Sequence, residues 1–438
     1  MAENSKISWT DHTFNPWRGC EKKSAACKNC YAADLVNRYG GDFYGQRVLL
    51  AENGWKKPIA WDGIARAEKN LWDIINENPC ICSQDIARWV QDPNVEREWL
   101  LPMEERGLIE GNKGNLGGWL PLPWNNPRVF CASLADIFED FGGPIVDHNG
   151  GRMRVSPFDA WVSAGPLGAE TDQQRMTDDY RDLTMDDIRK RLFQLIDKTP
   201  HLTWLLLTKR PENINRMWEP AANRETSHEA EYWFRPNVWL GVTVEDQEQA
   251  DKRIPELLSC FDLAQITFVS CEPLLGPLDI TPYLGGRSYK CKCGFHRTES
   301  ELLFLGGNDY RCAECGATCE TGPTIDFCIS GGESGSNARP THPDWLRSLR
   351  DQCLETETAF HHKQNGEWCD LRTAGGSEWT RTSQQPLKGK IDGPNAGEYK
   401  TAYPWKDDTY PCMVRVGKKK AGHLLDGVEH LAFPKVAE

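Results

Sequence analysis

The sequence lacks any long hydrophobic run. No stretch of about 18 consecutive apolar residues occurs among its 438 residues, so we expect no membrane-spanning helix. The opening residues, MAENSKISWTDHTF, contain no apolar segment of the secretory type, and we therefore expect a cytoplasmic protein. Positive charge is also scarce, because 51 Lys and Arg residues stand against 64 Asp and Glu, a formal net charge of −13. This balance argues against a broad nucleic-acid-coating surface, although it is compatible with a local basic groove.

Several common catalytic signatures are absent as well. The sequence contains no Gly-x-Ser-x-Gly nucleophile elbow, no Walker-type phosphate loop and no His-Glu-x-x-His zinc motif. Its chemistry, if it has any, must therefore come from other residues.

Cysteine is plentiful and clustered. Seventeen is an odd number, and without an export signal a disulfide framework is not expected, so clustered cysteines are read as metal ligands. One group is formed by Cys20, Cys27 and Cys30, and a second by Cys291, Cys293, Cys312 and Cys315, with Cys319 as an alternative ligand.

Short apolar runs alternate with amphipathic helical segments, which is typical of parallel α/β folds. The predicted helices are Met185–Lys198, Gln247–Leu258 and Pro343–Cys353, the last with Thr341 as its cap. The predicted strands are Arg128–Ser133, Thr203–Thr208, Val238–Val244, Ile266–Cys271, Ile325–Ser330 and Ala359–Lys363, with a shorter first strand at Ile7–Trp9. The pattern predicts a complete or partial TIM-like (β/α) barrel.

Segments that break the alternation define the domain organisation. We expect a first strand and cysteine loop (1–52), an insertion (53–125), barrel core (126–286), a zinc-ribbon-like insertion (287–322), further barrel core (323–369), and an irregular C-terminal extension with a basic segment (370–438).

Charged residues follow nearly every predicted strand. In parallel α/β folds the functional site lies at the carboxyl ends of the strands. One such residue is compatible with a plain solvated loop, but five or six at the same edge predict a polar pocket. We expect catalytic roles for Lys209, Glu245, Glu272 and Lys363, and cofactor binding by Asp136, Arg210, Gly331, Gly332 and Glu333.

The first cysteine group places three thiols in one short loop after the first predicted strand. Three cysteines can hold three irons of a [4Fe–4S] cluster and leave the fourth iron open to a ligand. A zinc site completed by a distant ligand and a set of unmetallated cysteines are the alternatives.

The second group has the form of two knuckles, Cys291-x-Cys293-Gly and Cys312-x2-Cys315-Gly. Four thiolates at this spacing are typical of a structural zinc ribbon, which would supply most of the folding energy of its segment. A second iron–sulfur cluster and the absence of metal are the other two interpretations.

Several segments resemble a known family. ISWTDHTFNPWRGC, TWLLLTKRPENI, SCEPLLGPLDI, ISGGESGSNARP and KQNGEW are similar to a phage-encoded, largely uncharacterised family with a three-cysteine motif, which is considered similar to radical SAM enzymes. These segments lie outside 53–125 and 287–322. The first gap between cysteines has six residues, where the radical SAM superfamily commonly has three.

The resemblance implies a barrel of the radical SAM type in which Cys20, Cys27 and Cys30 hold a [4Fe–4S] cluster that binds S-adenosylmethionine. It further implies an enzyme that modifies or repairs a nucleic acid base or nucleotide and that needs an electron donor. The competing hypothesis is a non-catalytic, metal-stabilised nucleic-acid-binding protein of phage. The basic segment Arg415–His423 is compatible with phosphate contact in either case, or with a solvated tail.

Overall fold

The computed structural model describes residues 2–111, 118–155, 180–219, 233–285, 318–370 and 413–435, together with the short segments 288–290, 296–297, 302–304, 310–312, 389–391, 397–399 and 402–403.

A sheet of eight strands forms the centre of the molecule, and its strands lie side by side in chain order. They are β1 (Ala2–Glu3), β2 (His12–Thr13), β3 (Arg128–Cys131), β4 (Thr203–Thr208), β5 (Arg235–Thr243), β6 (Ala264–Cys271), β7 (Phe327–Gly331) and β8 (Ala359–Gln364). The seven strands from β2 to β8 are parallel, whereas β1 is antiparallel to β2. The parallel strands curl into a half-barrel. The predicted α/β fold is therefore confirmed, and its curled sheet is consistent with a partial barrel.

Alternation along the strands divides the core into two layers. In β4, Trp204 and Leu206 belong to the larger cluster, which also contains buried residues of the helices. Leu205 belongs to a second cluster, which also contains Phe268 of β6 and against which Leu207 packs. Because neighbouring side chains of a strand point to opposite faces, each strand contributes to both layers.

The main helices are α1 (Tyr31–Arg38), α2 (Lys57–Glu77), α3 (Ser83–Val90), α4 (Met185–Asp197), α5 (Gln247–Leu258) and α6 (Pro343–Glu355). Shorter helices and turns are Ala25–Cys27, Glu52–Trp55, Glu96–Leu100, Leu101–Glu105, Pro211–Asn213, Ile214–Met217, Phe261–Leu263, Thr281–Tyr283 and Lys418–Ala421. No helix of the described residues is both long enough and apolar enough to cross a membrane.

Two local predictions need correction. Thr341 does not cap α6, because its hydroxyl donates to the carbonyl oxygen of Leu274 while the His342 ring accepts from the Asp344 backbone N–H. Ile7–Trp9 is not a strand either. The chain turns there, with the Thr10 N–H donating to the Ile7 carbonyl, and Trp9 packs against the ring of Phe130. A buried aromatic residue near a strand was mistaken for the strand.

The predicted insertion 53–125 is largely helical and contains a hydrophobic cluster of its own. Leu71 and Ile75 of α2, Ile86 of α3, Met103 and Trp119 are buried together in this cluster. A two-stranded hairpin, Ile109–Gly111 with Trp119–Pro121, completes it.

The remaining strands form small sheets. Trp17–Arg18, Arg47–Leu49 and Ile145–Val146 make one beside the cysteine loop. The others are Arg154–Val155, Arg181–Asp182, Ser288–Lys290, His296–Arg297, Leu302–Phe304, Tyr310–Cys312, Thr318–Gly322, Trp368–Asp370, Gly389–Ile391, Gly397–Tyr399, Ala402–Tyr403 and Met413–Arg415. Cys291, Cys293 and Cys315 lie outside the described residues, as does the side chain of Cys312, so the zinc ribbon stays a prediction.

Two glycines give a matched test of the packing. A Cβ on Gly241 of β5 would lie 2.5 Å from the ring of Phe268, its partner on β6, whereas a Cβ on Gly63 within α2 would meet nothing within 4 Å. We expect Gly241→Ala to destabilise the fold by about 1–3 kcal/mol through overpacking. We expect Gly63→Ala to stabilise it by about 0.5–1 kcal/mol, because alanine favours the helix. Urea unfolding measures both, and equal effects of the two substitutions would contradict this description of the sheet.

Candidate functional site: a cavity with three cysteines

A cavity of about 330 Å³ opens at the carboxyl ends of the parallel strands. Cys20, Cys27 and Cys30 all line it. The strand-end residues that share the cavity with them are Asp136, Lys209, Arg210, Glu272, Gly332, Glu333 and Lys363. Apolar and aromatic side chains complete the wall, among them Trp9, Phe43, Tyr44, Phe130 and Leu207. The cysteine loop and several of the strand-end residues therefore bound one cavity.

The cysteine loop follows the small strand Trp17–Arg18 and ends where α1 begins. Gly19 has φ +116°, and a Cβ at this position would lie 2.1 Å from the Gln46 carbonyl oxygen, so the turn that leads into Cys20 requires glycine. Cys27 ends a short 3-10 turn, and Cys30 immediately precedes the first residue of α1.

Three buried glutamates, each paired with an arginine, accept hydrogen bonds from residues of this loop. The first is Glu139, whose carboxylate accepts from the Arg47 guanidinium at 2.6 and 2.8 Å and from the Glu21 N–H at 2.6 Å. Both side chains of the Glu139–Arg47 pair are fully buried. Charged groups that are buried lose their hydration by water, so they require bidentate pairing of this kind. The residue after Cys20 is therefore fixed by a strong acceptor.

The second glutamate, Glu245, lies under the 3-10 turn. Its carboxylate accepts from Arg253 at 2.9 Å and from the Ala26 N–H at 3.4 Å, and the residue is completely buried. Glu245 therefore supports the residue before Cys27 and is not among the residues that line the cavity.

The third glutamate is Glu333, in the loop after β7. It accepts from Arg339 Nε at 2.8 Å and Nη2 at 2.5 Å, and from the side-chain amide of Asn29 at 3.1 Å. Burial would raise the pKa of Glu333, but the hydrogen bonds from Arg339 and Asn29 outweigh it and lower that pKa. The residue before Cys30 is thus joined to the loop after β7 through an ionised carboxylate.

Arg210 connects the strand ends to Cys20. It donates to Asp136 at 3.0 Å and to the Glu21 carbonyl at 3.2 Å, and its Nη1 lies 3.8 Å from the Cys20 sulfur. Asp136 also accepts from the Thr208 hydroxyl at 2.6 Å and the Lys209 N–H at 3.0 Å, so its carboxylate is occupied by protein partners.

The Cys20 thiol is held in its protonated form. Burial raises its pKa to about 12, with the carboxylates of Asp136 and Glu139 adding to the effect and Arg210 and Lys209 opposing it. A soft cation that bound this sulfur would have to displace the proton.

Lysines supply positive charge to the cavity. Lys363 donates to Glu272 at 2.8 Å, and Gln364 donates to the other oxygen of the same carboxylate at 2.8 Å. Lys209 has its ammonium 3.4 Å from the Thr243 hydroxyl and forms no ion pair with any residue that the structure describes. Lys418, from the C-terminal basic segment, also reaches the cavity, where partial desolvation and the nearby Lys363 ammonium lower its pKa.

Some residues that we expected near the cavity lie elsewhere. Neither Gly331 nor Glu245 lines it, and His361 and His362 of β8 are both buried. Their hydrogen-bond partners are Ser8, Ser330 and Asn365.

Sequence reasoning also missed supporting residues. Glu139 lies three residues after Asp136, which we had singled out, so its position after a strand was an available signal. Arg339 lies within the quoted segment ISGGESGSNARP, but nothing in that segment, or around Arg47 and Arg253, marked these arginines as partners of glutamates. Among the residues that the structure describes, no group of three or more His, Cys, Asp and Glu side chains is placed to hold a metal ion.

The fold and the cavity together define a partial-barrel α/β protein with a three-cysteine loop at the carboxyl edge of its sheet. The chain belongs to a family described as a protein of unknown function (DUF5131), which matches residues 4–142 and 172–434. The matched ranges include 53–125 and 287–322, which the quoted segments did not cover. Neither a curated protein nor a solved structure matches the chain. The family description assigns no activity, so phage origin and a relationship to radical SAM enzymes stay predictions.

The contribution of the buried Glu139–Arg47 pair to stability can be compared with that of the exposed Glu212–Lys23 pair. Glu139→Gln leaves the Arg47 guanidinium buried without its carboxylate, which costs about 3–5 kcal/mol in comparable buried pairs. Glu212→Gln removes a partner of Lys23 at 2.7 Å, but that pair is solvent-exposed and is worth about 0–1 kcal/mol. We expect urea unfolding to show a large loss for the first substitution and almost none for the second. Similar losses for both would mean that Glu139 does not anchor the loop.

Proposed function

We propose that this protein is an iron–sulfur enzyme of the radical SAM kind, with Cys20, Cys27 and Cys30 as the ligands of a [4Fe–4S] cluster. One observation carries the proposal: the three cysteines line the same cavity as the charged strand-end residues. Thiolates are the protein ligands of such clusters, and three of them leave one iron free for another molecule. The donor set therefore suits the group, and the glutamate anchors fix the loop that carries it.

The charged groups of the cavity suit S-adenosylmethionine, which carries an amino group and a carboxylate. The Lys209 ammonium and the Thr243 hydroxyl offer donors to a carboxylate, while Glu272 offers an acceptor to an amino group. Trp9, Phe130 and Tyr44 provide apolar surface for the adenine and ribose. When bound, the cluster and this cofactor would supply one-electron reductive cleavage of a sulfonium, for which an electron donor is needed.

A nucleic acid base or nucleotide is the substrate that we propose. The support comes from Lys418, because it brings the basic segment of an otherwise acidic protein to the mouth of the cavity. Lys419 and Lys420 follow it and are exposed, so phosphate groups can reach them. We further propose structural zinc at Cys291, Cys293, Cys312 and Cys315.

The cluster proposal is tested by anaerobic reconstitution. We expect wild-type protein to bind about four irons and four sulfides per chain, and Cys20→Ser, Cys27→Ser and Cys30→Ser each to lose most of that iron, because each removes one thiolate ligand. Cys369→Ser, which changes a half-buried cysteine outside the cavity, serves as the control. Zinc is measured in the same samples. If the three variants keep wild-type iron and sulfide, the ligands are not these cysteines.

The cofactor proposal is tested by titrating S-adenosylmethionine into anaerobic, cluster-loaded protein. Glu272→Gln should weaken binding about ten- to a hundredfold, since a charge-assisted hydrogen bond is worth about 1.5–3 kcal/mol. Glu212→Gln, which changes an exposed carboxylate outside the cavity, should bind as wild type does. Reduction should then release 5′-deoxyadenosine. A loaded cluster with no binding would instead favour the non-catalytic, metal-stabilised nucleic-acid-binding protein.

A further inference from the structure

A buried arginine lies against one sulfur of the cysteine loop. Arg210 follows the end of β4 by two residues and is 6% exposed, and its Nη1 lies 3.8 Å from the Cys20 sulfur, to which it donates. The Cys27 sulfur, by comparison, accepts from a neutral group, the Lys23 backbone N–H, at 3.5 Å. The sulfurs of the loop therefore have donors of different charge, and a guanidinium lies at Cys20.

The position of this guanidinium is fixed by the protein. Its Nη1 donates to Asp136 at 3.0 Å, and its Nη2 donates to the Glu21 carbonyl at 3.2 Å and lies 3.7 Å from the Glu139 carboxylate. The Arg210 backbone N–H donates to the Thr208 hydroxyl at 2.9 Å. Because the backbone and the guanidinium are both held, the positive charge stays beside the loop.

The guanidinium is charged in spite of its burial. Burial would lower the pKa of Arg210, but Asp136, Cys20 and Glu139 outweigh it and raise that pKa. A charge that is withdrawn from water interacts more strongly with its neighbours than an exposed one does. Arg210 can therefore influence any electron that is added at the Cys20 sulfur.

We propose that Arg210 is a positioning residue that raises the reduction potential of the [4Fe–4S] cluster through its N–H···S bond to Cys20, while Asp136 opposes it by its negative charge. This inference rests on the proposed function, since it needs a cluster at the three cysteines. Reduction adds negative charge to the cluster, and hydrogen bonds to the ligand sulfurs together with the surrounding charge set the potential. A guanidinium thus favours the reduced form and a carboxylate disfavours it, so a less strongly reducing donor suffices.

The test is a redox titration of anaerobic, cluster-loaded full-length protein, followed by electron paramagnetic resonance. Arg210→Gln should lower the midpoint potential by about 59 mV or more, which is a tenfold change in the one-electron equilibrium. Asp136→Asn should raise the midpoint potential, because it removes the opposing charge. Arg210→Lys keeps the positive charge and should shift the potential less than half as far as Arg210→Gln.

Arg216→Gln is the matched control, since it changes an exposed arginine that pairs with Asp140 outside the cavity, and it should keep the wild-type potential. Iron and sulfide are measured in every sample. If Arg210→Gln fails to hold a cluster, the opposite directions expected for Asp136→Asn and Arg210→Lys decide the question.

A general disturbance of the loop would shift the potentials of the Arg210 and Asp136 variants in the same direction, and that result would overturn the inference. Cluster-loaded variants with the wild-type potential would overturn it as well, while leaving the cluster proposal intact. A wild-type protein that holds no cluster would instead contradict the proposed function, and this inference with it.

Discussion

The cysteine loop depends on three buried glutamate–arginine pairs, and the candidate site depends on that loop. Glu139, Glu245 and Glu333 come from three different strand ends, and each carboxylate accepts from a residue next to a cysteine. An unpaired buried carboxylate would be expensive, so each arginine offsets the cost of placing a carboxylate under the loop. An eleven-residue segment, from Cys20 to Cys30, is thereby held to the strand ends of the central sheet.

Strand alternation then decides which side chains enter the cavity. Leu207, Thr243 and Ser270 occupy concave-facing positions of adjacent strands and line it. Cys271, one residue further along β6, belongs instead to the layer that packs against the helices. Because neighbouring residues alternate between faces, a strand end delivers only part of its polar residues to the cavity. A charged residue at a strand end therefore indicates at which edge of the sheet the cavity lies, but it does not indicate what that residue does there.

The sequence contained enough information to predict the sheet and the edge at which the cavity lies. Continuous apolar runs with β-branched residues identified six of the seven parallel strands within a few residues, since burial on both faces leaves that pattern. The two-residue strand His12–Thr13 was missed because so short a strand has no periodicity to detect. Arg47 could not have been foreseen as the partner of Glu139, because the two residues lie 92 positions apart in the chain. Arg253 and Arg339 lie only 8 and 6 positions from Glu245 and Glu333, and these pairs were missed because neither forms a motif.

The two cysteine groups differ in how a metal would relate to folding. At Cys20, Cys27 and Cys30 the loop is already fixed by hydrogen bonds of the protein. Binding a metal there costs little backbone entropy, so the ordering of the loop does not reduce the affinity for the metal. Thiol protons must also be displaced when a metal binds, and burial makes this harder at Cys20 because it raises the pKa of that thiol. A zinc ribbon at 287–322 would work in the opposite way, since so short an insertion has few apolar residues with which to form a core and the metal would supply the folding energy. A chelator should thus unfold the ribbon segment while the half-barrel and its cysteine loop keep their structure.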